Sequence, residues 1–300
     1  MKKINSEYAQ AVFNLPWLVA ADDGLFAREG IEVEFIRANR WDPTQAPETD
    51  PTKIDPFWRH APFADQSAQF FSACEWGQIK RSDVSVTEGA GARIVQLRPA
   101  VASQGIFVRP DSPITHPQAL REKSIAVNFH AGSHYLTLQM LEGFMPRSEM
   151  KVVHMGQAEL RYKAMLRGEV DAAALMEPYI TIAEKAGCNL IMEGHYAGSE
   201  MSAPDVDDET HAAINRAITE AVKLINADKR KYLHYLIADV PEDLGPITAD
   251  DFRLSRLRYV EPRPYPPGEF ERTHDWMVSW GLASAESSFE DLVDNRIGTA

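Results

Sequence analysis

Residues 124–192 read SIAVNFHAGSHYLTLQMLEGFMPRSEMKVVHMGQAELRYKAMLRGEVDAAALMEPYITIAEKAGCNLIM, and this stretch decides the fold. Its apolar residues alternate between short continuous runs and a three-to-four repeat, the marks of buried strands and of helices packed on one face. Ser124–Asn128 predicts a strand, and Ser133–Met145 a helix with Leu138, Leu141 and Met145 on one side. Lys151–His154 is a strand and Gln157–Arg167 a helix stopped by Gly168. Val170–Met176 is a further strand, ended by Glu177-Pro178 because the residue before proline leaves helical space. Tyr179–Ala186 is a helix closed by Gly187, and Asn189–Met192 a strand. Such alternation implies an α/β fold with a parallel sheet that binds ligands beyond the carboxyl ends of its strands.

Upstream, Glu7–Phe13 predicts a strand, Asn14-Leu15-Pro16 a break, Trp17–Glu29 a helix closed by Gly30, and Ile31–Ile36 a strand. Arg37–Ala61, with Pro43, Pro47, Pro51 and Pro56, predicts a long loop suited to a lid. Phe63–Phe71 is suited to a short helix, and Ser72–Gly77 to the end of a strand and its loop. Ile94–Leu97 and Ser103–Val108 follow, the latter ended by Arg109-Pro110. Downstream, Thr210–Asn226, Lys229–Ile237, Asp250–Tyr259 and Glu269–Trp280 have helical spacing. The acidic segment Glu200–Glu209 is expected to be a solvated loop that supplies negative charge to the helix start at Thr210.

The chain has 300 residues, 44% hydrophobic and 25% charged, an ordinary globular composition. With 44 acidic against 31 basic residues its formal charge is -13, and no basic patch offsets this, which excludes a nucleic-acid partner. No continuous apolar run of about 20 residues is present, so no membrane insertion is expected. Cys74 and Cys188 form no disulfide framework and match no zinc spacing; free thiols, no metal and no cofactor are expected. Met1-Lys2-Lys3 and the uncharged stretch Tyr8–Ala21 superficially resemble a signal peptide, but Glu7 and Asn14-Leu15-Pro16 interrupt the pattern. The expected location is cytoplasmic as the sequence stands, and periplasmic if a leader has been removed.

Three motifs in order carry a resemblance: Asn14 through Glu34, Ala131-Gly132-Ser133-His134-Tyr135, and Gly168 through Pro178. Together they resemble the nitrate/sulfonate/taurine substrate-binding proteins of ABC importers over roughly residues 5–195. The resemblance implies a two-lobed type II periplasmic-binding-protein-like fold with an interdomain cleft, lobe 1 comprising 1–108 plus 196–300 and lobe 2 comprising 109–195. It implies a small organic anion as ligand, a sulfonate, carboxylate or related acid with an aromatic body allowed, and an ABC permease as partner. Aromatic-sulfinate desulfinases and thiamine-pyrimidine synthases share the scaffold. The chain departs from both: the desulfinases' nucleophilic cysteine falls where Asn14-Leu15-Pro16 stands, their Arg-x-Gly-Gly motif is missing, and so is the synthases' cysteine-rich motif.

Candidate ligand-binding residues are Asn14, Trp17, Trp76, His130, Gly132, Ser133, Glu177 and Arg109. Gly132-Ser133 opens a helix whose first N–H groups lack intrahelical acceptors, a physical anion site, although a plain serine cap reads the same way. His130 and His134 straddle the helix start, so they share no continuous helical face and make a poor metal pair even with His154 and Glu177 nearby. Glu177 at a strand end suits a ligand N–H or O–H; pairing with Arg161 or Arg109 is the alternative. Trp17, Trp58 and Trp76 suit stacking on a planar ligand, or core packing, and Arg109 or Arg59 suits its charge. The rival reading is a cytoplasmic enzyme, a desulfinase, decarboxylase or hydrolase of a small aromatic acid, with Cys74 as nucleophile, His60 as its base and Glu75 beside them. A buried, inert cysteine is the plainer account.

Overall fold

The computed structural model describes residues 1–297. Its first strand, β1 (Lys2–Tyr8), ends five residues earlier than the sequence suggests, and helix α1 (Ala11–Asp22) runs straight through the predicted break at Asn14-Leu15-Pro16. Two contacts explain this. The Asn14 side chain folds back onto the turn, where Oδ1 accepts from the N–H of Ala9 at 3.1 Å and Nδ2 donates to the Glu7 carbonyl at 3.1 Å. Pro16 has no N–H for the Val12 carbonyl one turn back, and the Tyr259 hydroxyl donates to that oxygen instead, at 2.9 Å. Helix α2 (Leu25–Arg28) then leads into β2 (Ile31–Arg37), which pairs in parallel with β1 from Lys2 opposite Ile31 to Tyr8 opposite Arg37.

After a long loop come α3 (Ala61–Ala64), β3 (Phe70–Cys74), α4 (Glu75–Thr87) and β4 (Arg93–Val108). The expected alternation follows: β5 (Ser124–Val127), α5 (Gly132–Glu142), β6 (Lys151–His154), α6 (Ala158–Arg167), β7 (Ala172–Leu175), α7 (Tyr179–Lys185) and β8 (Asn189–Ser202). The chain closes with α8 (Asp208–Ala227), α9 (Leu233–Ala238), β9 (Arg258–Tyr259), α10 (Pro267–Ser279) and α11 (Phe289–Leu292). The strand order is β2-β1-β3-β8-β4-β7-β5-β6, with β9 on β4. Parallel strands form both ends, and the long antiparallel pair β4 and β8 joins them through the middle.

Three expectations are corrected here. Ile94–Leu97 and Ser103–Val108 belong to one 16-residue strand, whose pairing with β8 shifts register at three places, the widest between Leu97 and Val101 around Pro99. Asn189–Met192 likewise continues to Ser202, so Glu200 is a strand residue 1% exposed rather than part of a solvated loop. It accepts hydrogen bonds from Trp17 Nε1 at 2.7 Å, Ser72 Oγ at 3.0 Å and Gln96 Nε2 at 2.6 Å. Asp207 does cap α8, accepting from the Thr210 N–H at 2.8 Å. Asp250–Tyr259 forms no α-helix: its Arg256 is drawn into a buried ion cluster, with Nη2 2.8 Å from Glu184 and Nε 2.9 Å from Glu193.

Apolar burial follows the same plan. α8 turns Ala213, Ile214, Ala217, Ile218, Ala221, Val222 and Ile225 inward, and they pack with Ile4, Leu15 and Val19 of β1 and α1. Ile125, Val127, Leu138 and Leu141 centre a second core on β5 and α5. Among the described residues no helix is long and apolar enough to cross a membrane.

Candidate functional site

The carboxyl ends of both sets of parallel strands meet at one cavity. Ala9 and Gln10 reach it from β1, Cys74 from β3, Asn128 from β5 and Met176 from β7, while Gln104 of β4 and Tyr196 of β8 form part of its wall. The space is tight, a cavity of about 50 Å³. α5 and α6 begin at the cavity, without side-chain caps. Among the described residues the N–H groups of Gly132 and Ser133 have no protein acceptor. Gly132 is required by packing, since a Cβ there would stand 2.2 Å from the Tyr196 hydroxyl oxygen.

Three arginines, Arg59, Arg81 and Arg161, line the cavity, and no aspartate or glutamate does so among the described residues. Main-chain carbonyls steer them without cancelling their charge. Arg59 Nη2 donates to Ala9 at 3.1 Å, Arg81 Nε to Pro56 at 2.8 Å and Nη2 to His130 at 2.9 Å. Arg161 donates through Nε to Ala174 at 2.8 Å and through Nη1 to Gly156. Among the described residues Arg81 Nη1 is buried without a partner. Burial pulls Arg59 down to about 10 and Arg161 to about 9, so both remain cationic at neutral pH. Fixed guanidinium forks beside open helix amino ends favour an anion with several acceptor oxygens.

His60 and Cys74 both line this cavity. His60 Nδ1 lies 2.5 Å from Glu7 Oε1 in a fully buried pair. Burial pushes the Glu7 carboxyl up to about 8 and holds His60 well below its ordinary value, so at neutral pH the pair holds one proton and no net charge. Cys74 Sγ accepts from the Gly77 N–H at 3.3 Å, and burial lifts the thiol to about 11 despite Arg81. Glu75 points away, its Oε2 accepting from the Tyr265 hydroxyl at 3.2 Å.

Of the other residues singled out from sequence, Gly132 and Ser133 line the cavity; the Ser133 Oγ accepts from the Asn128 N–H at 2.9 Å, leaving its own proton to face a ligand. The rest are held elsewhere. Asn14 is occupied in the β1–α1 turn, and Trp17 is buried against Phe26 and Phe70. Trp76 supports the wall from behind, 5.3 Å from the Tyr196 ring. His130 presents Nε2 to the Pro51 carbonyl at 2.9 Å. Glu177 accepts from Thr181 at 2.7 Å and faces Arg256 at 3.8 Å, neither Arg161 nor Arg109. Arg109 is on the surface beside Asp111. Trp58 packs with Trp41 against His154. That aromatic group anchors the long loop: Trp41 N–H donates to Gln157 Oε1 at 2.9 Å, and Glu48 and His154 exchange main-chain hydrogen bonds. The loop thus ties β2 at one end of the sheet to β6 at the other. His130 and His134 stand 6.3 Å apart by ring centroids, and among the described residues no cluster of three or more His, Cys, Asp or Glu gathers to hold a metal.

Arg81 and Arg161 are the functional residues that sequence reading missed as cavity residues. Their signal lay in phase: Arg161 shares a helical stripe with Ala158 and Met165, and Arg81 with Gly77, stripes that are otherwise buried.

No protein-family model matches the chain, and no curated protein matches its sequence. Solved structures do match in fold. The alkanesulfonate-binding protein SsuA from Xanthomonas axonopodis pv. citri, bound to MOPS, aligns with 98% of this chain and 99% of its own at TM-score 0.74 and 15% identity. The Candida albicans CA3427 gene product, described as having the generic periplasmic binding protein fold, aligns over 98% and 97% at TM-score 0.70 and 12% identity. A DszB desulfurization-enzyme mutant in complex with biphenyl-2-sulfinic acid aligns over 94% of each chain at TM-score 0.63 and 15% identity. At these identities the likeness establishes the fold: a two-lobed α/β periplasmic-binding-protein architecture with its cleft between the lobes.

Proposed function

We propose that this protein binds a small organic anion, a sulfonate or a related acid, in the cleft, and serves as the recognition subunit of an ABC-type importer. The observation that carries the reading is the convergence of Arg59, Arg81 and Arg161 on a cavity whose wall, among the described residues, holds no carboxylate. Buried charge of one sign calls for a counter-charge, and an anionic head held by these forks and by the amino ends of α5 and α6 supplies it. The ligand is held by hydrogen bonds and released unchanged. SsuA bound to MOPS, on the same fold, supports this choice of class. The desulfinase-type alternative draws on the placement of Cys74 and His60 in one cavity, but a thiol raised to about 11 and an imidazole engaged by Glu7 argue against a thiolate nucleophile.

Titration calorimetry and native mass spectrometry with a panel of sulfonates, sulfinates and aromatic acids test the reading. A ligand that binds and returns intact is expected, with Arg161→Met weakening it by about 10- to 100-fold, the worth of a charged hydrogen bond. Absence of binding at millimolar concentration, or an unchanged affinity in Arg161→Met, would overturn it. A new small-molecule product would establish an enzyme.

A further inference from the structure

A fourth guanidinium lies behind the cavity wall. Arg98, in the irregular part of β4, is 2% exposed, and none of its three nitrogens has an acceptor among the described residues. Its Cζ stands 4.3 Å from the centroid of the Phe13 ring, and Phe13 lines the cavity. The chain makes room for this arginine: a Cβ on Gly198 would lie 1.9 Å from Arg98 Nε. Glu200, the buried carboxylate that acts on it, is already engaged by Trp17, Ser72 and Gln96 and forms no ion pair with it. A buried guanidinium with all its donors idle is costly, and such a group is retained where a partner arrives. A single anionic group held by the arginines of the cavity wall would still leave the Arg98 nitrogens without a hydrogen-bond acceptor among the described residues.

We infer that the cavity takes a small organic acid with two anionic groups, one held by Arg59, Arg81 and Arg161 and the second by Arg98 once the Phe13 ring turns aside. This deepens the anion-binding reading and rests on it. The ligand class is that of sulfonated carboxylic acids and their close relatives, whose body sits between Phe13 and Tyr196 with a charge at each end.

The test compares benzenesulfonate with the three sulfobenzoate isomers by titration calorimetry at neutral pH. In the unmodified protein at least one sulfobenzoate should bind tenfold or more tighter than benzenesulfonate. Arg98→Met should bring that ratio to within threefold, and Phe13→Ala, which removes the intervening ring, should raise it. If benzenesulfonate binds and no sulfobenzoate binds better, the second anionic group is refuted while the first reading stands. If none of the four binds, the two-anion aromatic ligand is refuted, and the wider panel above decides whether the anion reading falls with it. A ratio that survives Arg98→Met overturns the assignment of Arg98, and the Phe13→Ala comparison decides the matter if Arg98→Met does not fold.

Discussion

Replacing Glu7 by glutamine should remove the alkaline limb of the protein's stability profile, and the size of the effect follows from counting protons on the Glu7–His60 pair. In the folded protein this pair, 2.5 Å apart, holds one proton up to about pH 8, because burial disfavours the ionised carboxylate more than Arg59 and Arg81 favour it. Unfolded, the two groups titrate near their ordinary values of 4.5 and 6.5. Towards acid pH the unfolded imidazole takes up a proton that the buried His60 resists, so on that side stability falls as pH falls. From 6.5 to about 8 the folded pair keeps a proton that the unfolded chain has lost, so stability falls as pH rises. Over that 1.5-unit interval, at about 1.4 kcal/mol per unit, the loss is about 2 kcal/mol. Glutamine keeps the shape, donates its amide hydrogen to His60 Nδ1 and does not titrate. Urea unfolding followed by tryptophan fluorescence at half-unit steps from pH 6 to 8.5 measures both proteins, and the difference between them isolates the pair. Parallel decline of Glu7→Gln and the parent across this range would refute the proton count.

Two further outcomes are accessible with simple measurements. Cys74, buried with its thiol near 11, should resist a disulfide-exchange reagent at pH 7.5 until the protein unfolds; rapid stoichiometric labelling of Cys74 in the native state would show a thiolate and revive the nucleophile reading. Tyr259→Phe should cost about 1–2 kcal/mol by leaving the Val12 carbonyl without a donor, and adding Pro16→Ala should restore part of it through the regained helical N–H. Equal stabilities of the single and double variants in urea titrations would show that the hydroxyl does not stand in for the missing helix bond.

The alternating units from Ser124 to Leu190 were legible because their side-chain period changes with each element, and Lys151–His154 matches its strand residue for residue. The N-terminal boundary was misread because Pro16 looks like a helix breaker, and the group that makes it tolerable, Tyr259, lies far along the chain. The full lengths of β4 and β8 were hidden for a related reason. Arg98, in the gap between the two predicted pieces of β4, and Glu200, near the far end of β8, read as solvated charges, yet both are buried. At the site, Cys74, Gly132 and Ser133 stood out by position at strand and helix ends. Arg81 and Arg161 did not, since an arginine on a helix reads as surface until the neighbouring turns reveal a buried stripe. Asn14, Trp17 and Glu177 were visible for the right chemistry but are occupied by partners that no local pattern announces.

The packing of α8 on α1 has a consequence for the order in which the protein can be made. The faces of β1 and α1 that bury Ile4, Leu15 and Val19 are covered by a helix whose first residue is Asp208. Roughly 190 residues separate the two helices, so at about 5–20 residues per second a ribosome leaves that surface bare for about 10–40 seconds. Meanwhile the compact alternation from β5 to α7 has all its local partners and is free to fold. The nascent chain therefore carries a middle that still awaits Trp276, Trp280 and Leu282 and a beginning barer than it, and a fragment ended before Asp208 keeps its N-terminal face sticky however well the rest has folded.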